Sequence, residues 1–221
     1  MSSKMHEVEK NIIRTGTTTL GIMCKDGIVL AADKRVTEGE RLIAHKMFDK
    51  VFLITDKIAV TTAGNVSEVQ LLLKLTKAEL KLRQLRTKTE PGVRETASLF
   101  AMLTYENIRK FSPLIAISAF LVAGVDKKGF WLFEIAPDGS LLEHKDYVST
   151  GSGSIIVYGL LEDAYKQDIS VEEGIKLAIR AISAAMHRDT PSGSGIDVVT
   201  ITKEGAKKVM TQEVKEIFVK K

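Results

Sequence analysis

Gly16-Thr17-Thr18-Thr19 is the stretch of this chain with the clearest chemical potential. It follows a polar leader and opens an apolar segment, Leu20-Gly21-Ile22. A cut between Gly16 and Thr17 would make Thr17 an N-terminal residue. Such a threonine carries nucleophile and base together: the hydroxyl attacks and the α-amine takes the proton. A free α-amine, with a pKa of roughly 7.7–8.0, suits that task near neutral pH. Three threonines in a row are also ordinary at the edge of a strand, because β-branched residues fit pleated structure.

Other segments add groups that such chemistry needs. In Ala31-Ala32-Asp33-Lys34-Arg35 an acid ends the second apolar run. If Lys25-Asp26-Gly27 turns a hairpin, Asp33 lies beside Thr17; read alone, it would pair with Lys34 or Arg35 at the surface. His45-Lys46-Met47-Phe48-Asp49-Lys50 offers two lysines before a strand. Either lysine could favour a threonine alkoxide electrostatically. Gly64, in Thr62-Ala63-Gly64-Asn65, stands where a strand hands over to a helix, a place where free N–H groups can face a developing oxyanion. Arg188-Asp189-Thr190-Pro191-Ser192-Gly193 supplies a carboxylate and small hydroxyls after a helix.

Several classes of function are disfavoured. Thr150-Gly151-Ser152-Gly153-Ser154 looks like a phosphate loop, but Ile156 stands where a third glycine belongs, and no Gly-Lys-Ser/Thr follows. The four histidines are scattered without metal-ligand spacing, so no metal or cofactor is expected. The net charge of +4 is modest, and the basic residues from Lys74 to Lys88 alternate with leucines as the wet face of a helix, so no nucleic acid is expected. The longest apolar run, residues 113–125, is too short to span a membrane. A leader charged throughout is not a secretory signal, so a cytoplasmic protein is expected. The one cysteine, Cys24, excludes an internal disulfide and reads as a small core residue.

The elements that must position these groups follow from turn signals and periodicity. Strands are expected over 17–24 and 28–32, then 50–55 and 59–64. Asn65 and Glu68 read as a capping box opening a helix. That helix has two apolar stripes, one through Val69, Leu72, Leu73, Thr76 and Leu80, the other through Leu71, Leu75, Ala78, Leu82 and Leu85, which predicts packing on two sides. Pro91-Gly92 breaks the chain before a second helix over 93–111. Strands are expected at 116–125, 130–135 and 141–148, helices at 155–166 and from Ser170 to about His187, strands at 196–202 and 207–210, and a short closing helix. Helix pairs between blocks of antiparallel strands predict an α+β fold of two sheets with helix pairs outside.

Taken together, the segments GTTTLGI, GIVLAADKRVT, HKMFDKV, TTAGN, STGSGS, EEGIKLAIRAISAAMHRD and SGSGIDV resemble the β-type subunits of the proteasome core particle, most closely archaeal ones. The resemblance runs from Gly16 onward. It implies a four-layer αββα sandwich of two antiparallel sheets, the N-terminal-nucleophile hydrolase fold. It implies that residues 1–16 are a propeptide removed by self-cleavage after Gly16, leaving 17–221 as one catalytic domain. It implies Thr17 as nucleophile, Asp33 paired with Lys50 (the family's lysine directly precedes the next strand), Gly64 as the oxyanion donor, and Ser152, Asp189 and Ser192 orienting the Thr17 amine. Val36, Thr37, Phe48, Thr62 and Val66 would contact the substrate, with Thr62, often apolar or small in relatives, on the pocket floor. One extra residue lies between Val36 and His45. The implied activity is threonine endopeptidase action on unfolded polypeptides inside stacked seven-membered rings (α7β7β7α7), with α-type and other β subunits as partners and an AAA-type ATPase acting through the α rings. Alternatives of other classes are an unprocessed structural β subunit in a mixed ring, which needs a partner β chain, and a small-molecule amidase.

Overall fold

The structure is a computed structural model that describes residues 16–39, 42–112 and 117–213. Most of the leader and the expected closing helix therefore lie outside the described residues. Five strands form one antiparallel sheet in the order β10-β1-β2-β11-β12: Tyr147–Gly151, Thr18–Cys24, Gly27–Asp33, Gly195–Thr202 and Gly205–Glu213. Five more form the other in sequence order, β5 to β9: Val51–Thr55, Ile58–Gly64, Ser118–Asp126, Gly129–Ile135 and Leu141–His144. Helices α1 (Val66–Thr87) and α2 (Val93–Ile108) cover the second sheet, and α3 (Ser154–Ala164) and α4 (Val171–Arg188) cover the first. This is the expected four-layer αββα sandwich.

Three apolar clusters fill the three interlayer spaces. On β2, Val29 and Ala31 face the α3/α4 layer, while Ile28, Leu30 and Ala32 face the other sheet. On β7, Phe120 and Val122 face α1/α2, while Leu121 and Ala123 face inward. The period-2 pleat thus sends alternate residues into different cores. Both faces of the central strands are covered, so the strands read as continuous apolar runs rather than alternating ones. Gly21 matters here: a Cβ on it would come within 2.7 Å of Leu132 from the facing sheet. Its bare backbone lets the two sheets close on each other.

Four expectations are corrected. The segment 141–148 is two strands in different sheets, β9 pairing with β8 and β10 with β1. The chain changes sheets at Lys145-Asp146, which carry no glycine or proline to mark it. Residues Val36–Glu38 (β3) and Leu42–His45 (β4) form an unexpected hairpin. Asn65 is the N-cap residue of α1, yet the capping box does not form: its side-chain oxygen accepts from Ile117 N at 2.9 Å, and Glu68 accepts from the Asn107 side chain. The second stripe of α1 is not packed: Leu71, Leu75, Leu82 and Leu85 are exposed. The capping box Ser170–Glu173 opening α4 does form.

At the site end, Lys34 fastens three segments. Its ammonium is buried and donates to Asp197 of β11 at 2.8 Å and to Asp49, just before β5, at 2.5 Å. Asp197 also accepts from Thr211 and meets Lys208 at 3.2 Å. Burial pulls the Lys34 pKa down, but the two carboxylates outweigh it, so the ammonium holds its proton more tightly than an ordinary lysine. Asp197→Ala is expected to cost about 3 kcal/mol, because it strips a buried ammonium of its buried partner. Lys208→Ala, at a half-buried position, is expected to cost less than about 1 kcal/mol. Urea unfolding of the two variants checks the contrast; equal losses would refute it.

Candidate active site

The β1–β2 hairpin brings Asp33 to the start of β1. Thr19 pairs with Ala32, so the next position out sets Asp33 beside Thr18. The Thr18 N–H donates to Asp33 Oδ1 at 2.9 Å. The other carboxylate oxygen accepts from Arg35 N at 3.0 Å and from Gly193 N at 2.9 Å. Asp33 is fully buried, and Lys50 Nζ meets its Oδ1 at 2.8 Å. The surface pairing with Lys34 or Arg35 side chains does not occur. Lys46 is exposed, so Lys50 alone of the two candidate lysines reaches the site.

Burial drives the Lys50 pKa below its ordinary value of 10.5, opposed by the Asp33 charge. An ammonium without that carboxylate would lose its proton far more readily. Lys50 also points at the carbonyl preceding Thr17, with Nζ 3.5 Å from Gly16 O. The Thr17 hydroxyl donates to the same oxygen at 2.7 Å. Thr17 is buried at the junction, and its nitrogen lies 3.3 Å from Ser152 Oγ.

Gly16 is held from two sides. Its N–H donates to the Thr37 hydroxyl at 3.4 Å, and a Cβ on it would fall 1.6 Å from Pro191 Cβ. Only glycine fits between Thr17 and that proline without a shift.

The second group of residues gathers on the other side of Thr17. Helix α4 ends by presenting Asp189 as its C-terminal cap. Ser152 Oγ donates to Asp189 Oδ2 at 2.7 Å, and Ser192 Oγ donates to the same oxygen at 2.5 Å. The bend at Gly151 to Gly153 depends on glycine: a Cβ on Gly151 would meet Thr17 O at 2.0 Å.

A pocket open to solvent lies against Gly16, Thr17 and Lys50. Val36, Phe48, Thr62, Gly64 and Val66 line it, as do Ala63 and Val69, which sequence reasoning missed. Thr37 is buried beside Gly16 rather than in the lining. Thr62 is turned toward its own neighbour, its hydroxyl reaching Lys50 O at 3.4 Å. Gly64 has φ of +118°, and a Cβ there would meet Ile117 O at 2.2 Å. Cys24 stands apart in the α4-side core, and burial pushes its thiol up to about 12, which makes it a poor nucleophile at neutral pH. Among the described residues, no group of three or more His, Cys, Asp or Glu could hold a metal ion.

The sequence profile of the family described as "Proteasome subunit" matches residues 13–201. A "Proteasome subunit beta" of Ferroglobus placidus is 46% identical over 205 residues, which are 93% of this chain and 95% of that protein. One of Archaeoglobus fulgidus is 42% identical over 216 residues, 98% of this chain and 99% of that protein. One of Methanothermobacter thermautotrophicus is 42% identical over 205 residues, 93% and 94% of the two chains.

Asp33→Asn removes the charge that opposes burial of Lys50. The Lys50 ammonium is therefore expected to titrate at lower pH in the variant than in the native chain. Side-chain NMR of labelled lysine across a pH series reads this directly; an unchanged or higher midpoint would contradict the ion-pair account.

Proposed function

Because the chain belongs to the proteasome subunit family, we propose that it is a β-type subunit acting as a threonine endopeptidase, with Thr17 as nucleophile once the bond after Gly16 is cut. Protease activity and assembly with other subunits follow from the family. The observation that carries the reading is the Thr17 hydroxyl 2.7 Å from the Gly16 carbonyl oxygen, with the Lys50 ammonium 3.5 Å from the same atom. Nucleophile, target bond and a positive charge already converge.

In the leader cut, Thr17 Oγ1 attacks the Gly16 carbonyl carbon and its proton passes to the leaving nitrogen. Negative charge develops on Gly16 O beside Lys50. The Gly16–Thr17 amide breaks to an ester on the Thr17 oxygen, and water hydrolyses that ester. Residues 1–16 leave as a propeptide, and 17–221 remain as one catalytic domain.

The freed α-amine then sits against Ser152, which Asp189 holds. It takes the hydroxyl proton as Thr17 attacks a substrate carbonyl. Lys50, fixed by Asp33, favours the alkoxide. The Gly64 N–H receives the oxyanion, and the amine returns the proton to the leaving nitrogen. Water releases the acyl group. The cavity walls Val36, Phe48, Ala63, Val66 and Val69, with Thr62, take the side chain preceding the cut, and Thr37 flanks the approaching backbone. The reaction calls for no metal or organic cofactor.

The particle we propose is α7β7β7α7, in the cytoplasm. An AAA-type ATPase feeds unfolded polypeptides to it through the α rings.

Co-expression with the cognate α-type subunit, followed by intact-mass measurement, tests the reading. Loss of residues 1–16 is expected, together with peptidase activity that Thr17→Ala abolishes. A full-length chain in an assembled particle would instead mark an unprocessed structural subunit, and activity surviving Thr17→Ala would remove the nucleophile. Gly16→Ala, whose Cβ would collide with Pro191, is expected to slow leader loss in the same mass assay; processing at the native rate would refute the steric argument.

A further inference from the structure

Thr18 is tied to both carboxylates that flank Thr17, to Asp33 directly and to Asp189 through Ser192. Its main-chain N–H donates to Asp33 Oδ1 at 2.9 Å. Its side chain is fully buried, with Oγ1 2.6 Å from Ser192 Oγ. Space around that hydroxyl is reserved: a Cβ on Gly153 would come 2.1 Å from Thr18 Oγ1 and 3.2 Å from Asp189 Oδ2.

The direction of the protons follows from counting them. A serine hydroxyl has one proton to give. Ser192 gives its proton to Asp189 Oδ2 at 2.5 Å, so in the short contact with Ser192 the donor is Thr18. Ser152 gives its proton to the same carboxylate oxygen at 2.7 Å, which leaves its oxygen to accept from the Thr17 nitrogen. Thr18, Ser192 and Ser152 thus all direct protons toward Asp189. Chained donors polarise one another, so the first bond strengthens the second. Without the Thr18 proton, Ser192 Oγ would be a fully buried acceptor with no donor, free to turn away from Asp189.

We propose that the Thr18 hydroxyl is a positioning group for the reaction of Thr17: it locks Ser192 onto Asp189, and so holds Ser152 with a lone pair aimed at the Thr17 nitrogen. A valine would fill the same β-branched space in β1, so the hydroxyl is what the site uses. Thr19 provides an internal comparison. Its hydroxyl pairs at 2.8 Å with Thr150 across the strand pair and does not join the Asp189 chain.

The inference rests on Thr17 being the nucleophile, and the experiment separates the two. Particles co-assembled with the α-type partner carry Thr17→Ala, Thr18→Val, Thr18→Ser, Thr19→Val, Ser192→Ala, or Thr18→Val combined with Ser192→Ala. Turnover of a fluorogenic peptide amide with an apolar residue before the cut is normalised to the number of mature chains counted by intact mass. Thr18→Val is expected to lower kcat roughly tenfold with KM within about twofold of native. Thr18→Ser and Thr19→Val are expected to keep native kcat, and Thr18→Val is expected to cost nothing further once Ser192 is alanine. Native kcat in Thr18→Val while Thr17→Ala is dead would overturn this inference alone; activity in Thr17→Ala would overturn the nucleophile. Failure of Thr18→Ser to match native, or additive losses in the double variant, would also overturn it. If Thr18→Val does not assemble, the smaller Thr18→Ala makes the same comparison with Thr18→Ser.

Discussion

The buried Asp33–Lys50 pair is the interaction on which the rest of the site depends. Its two members come from different sheets, Asp33 from the end of β2 and Lys50 from the residue before β5. A bare ammonium in that dry space would be driven to release its proton, and a bare carboxylate would be costly to bury. Each makes the other tolerable, but only while the sheets hold their separation. Asp33 also spends both oxygens on main-chain N–H groups of Thr18, Arg35 and Gly193. The charge that steadies Lys50 thereby also fixes the start of β1 and the loop after α4.

The neighbouring residues repeat the arrangement with the signs exchanged. Lys34 follows Asp33, Asp49 precedes Lys50, and these two pair as well. Successive residues on an extended chain point to opposite sides, so one pair faces Thr17 and the other faces β11. Two ion pairs across the same seam resist sliding of one sheet against the other, because a slip of one residue would set like charges together. The apolar cluster between the sheets, with Gly21 beneath Leu132, supplies the cohesion. The charges supply the register.

Much of the fold can be read from local signals. Asp26-Gly27 marks the first hairpin, and the Ser170–Glu173 box marks the start of α4, because both act within a few residues. Three misreadings share a cause, which is that distant partners decided the outcome. Asn65 has the right chemistry for a side-chain cap, but its oxygen is taken by Ile117. Lys145-Asp146 look like ordinary strand residues, although the chain passes there from one sheet to the other. Lys34 reads as a surface cation because its two carboxylates lie fifteen and more residues away. The site residues are legible mainly through the family resemblance. Thr17, Asp33, Lys50, Ser152, Asp189 and Ser192 have no shared spacing, and only the layered fold gathers them.

Helix α4 has a consequence for how this chain can change over generations. Its small buried face, from Gly174 through Ala178 and Ala181 to Ala185, lies close against the first sheet, and its last turn delivers Asp189 to the site. A helix advances about 1.5 Å and turns about 100° for each residue. One residue gained or lost within α4 would therefore swing Asp189 away from Ser152 or lift the alanine face off the sheet. Substitutions on the wet side of α4 are free to accumulate, but its length is not. Insertions and deletions must collect elsewhere, in turns such as Lys127-Lys128 between β7 and β8, where no part of the site is being measured out.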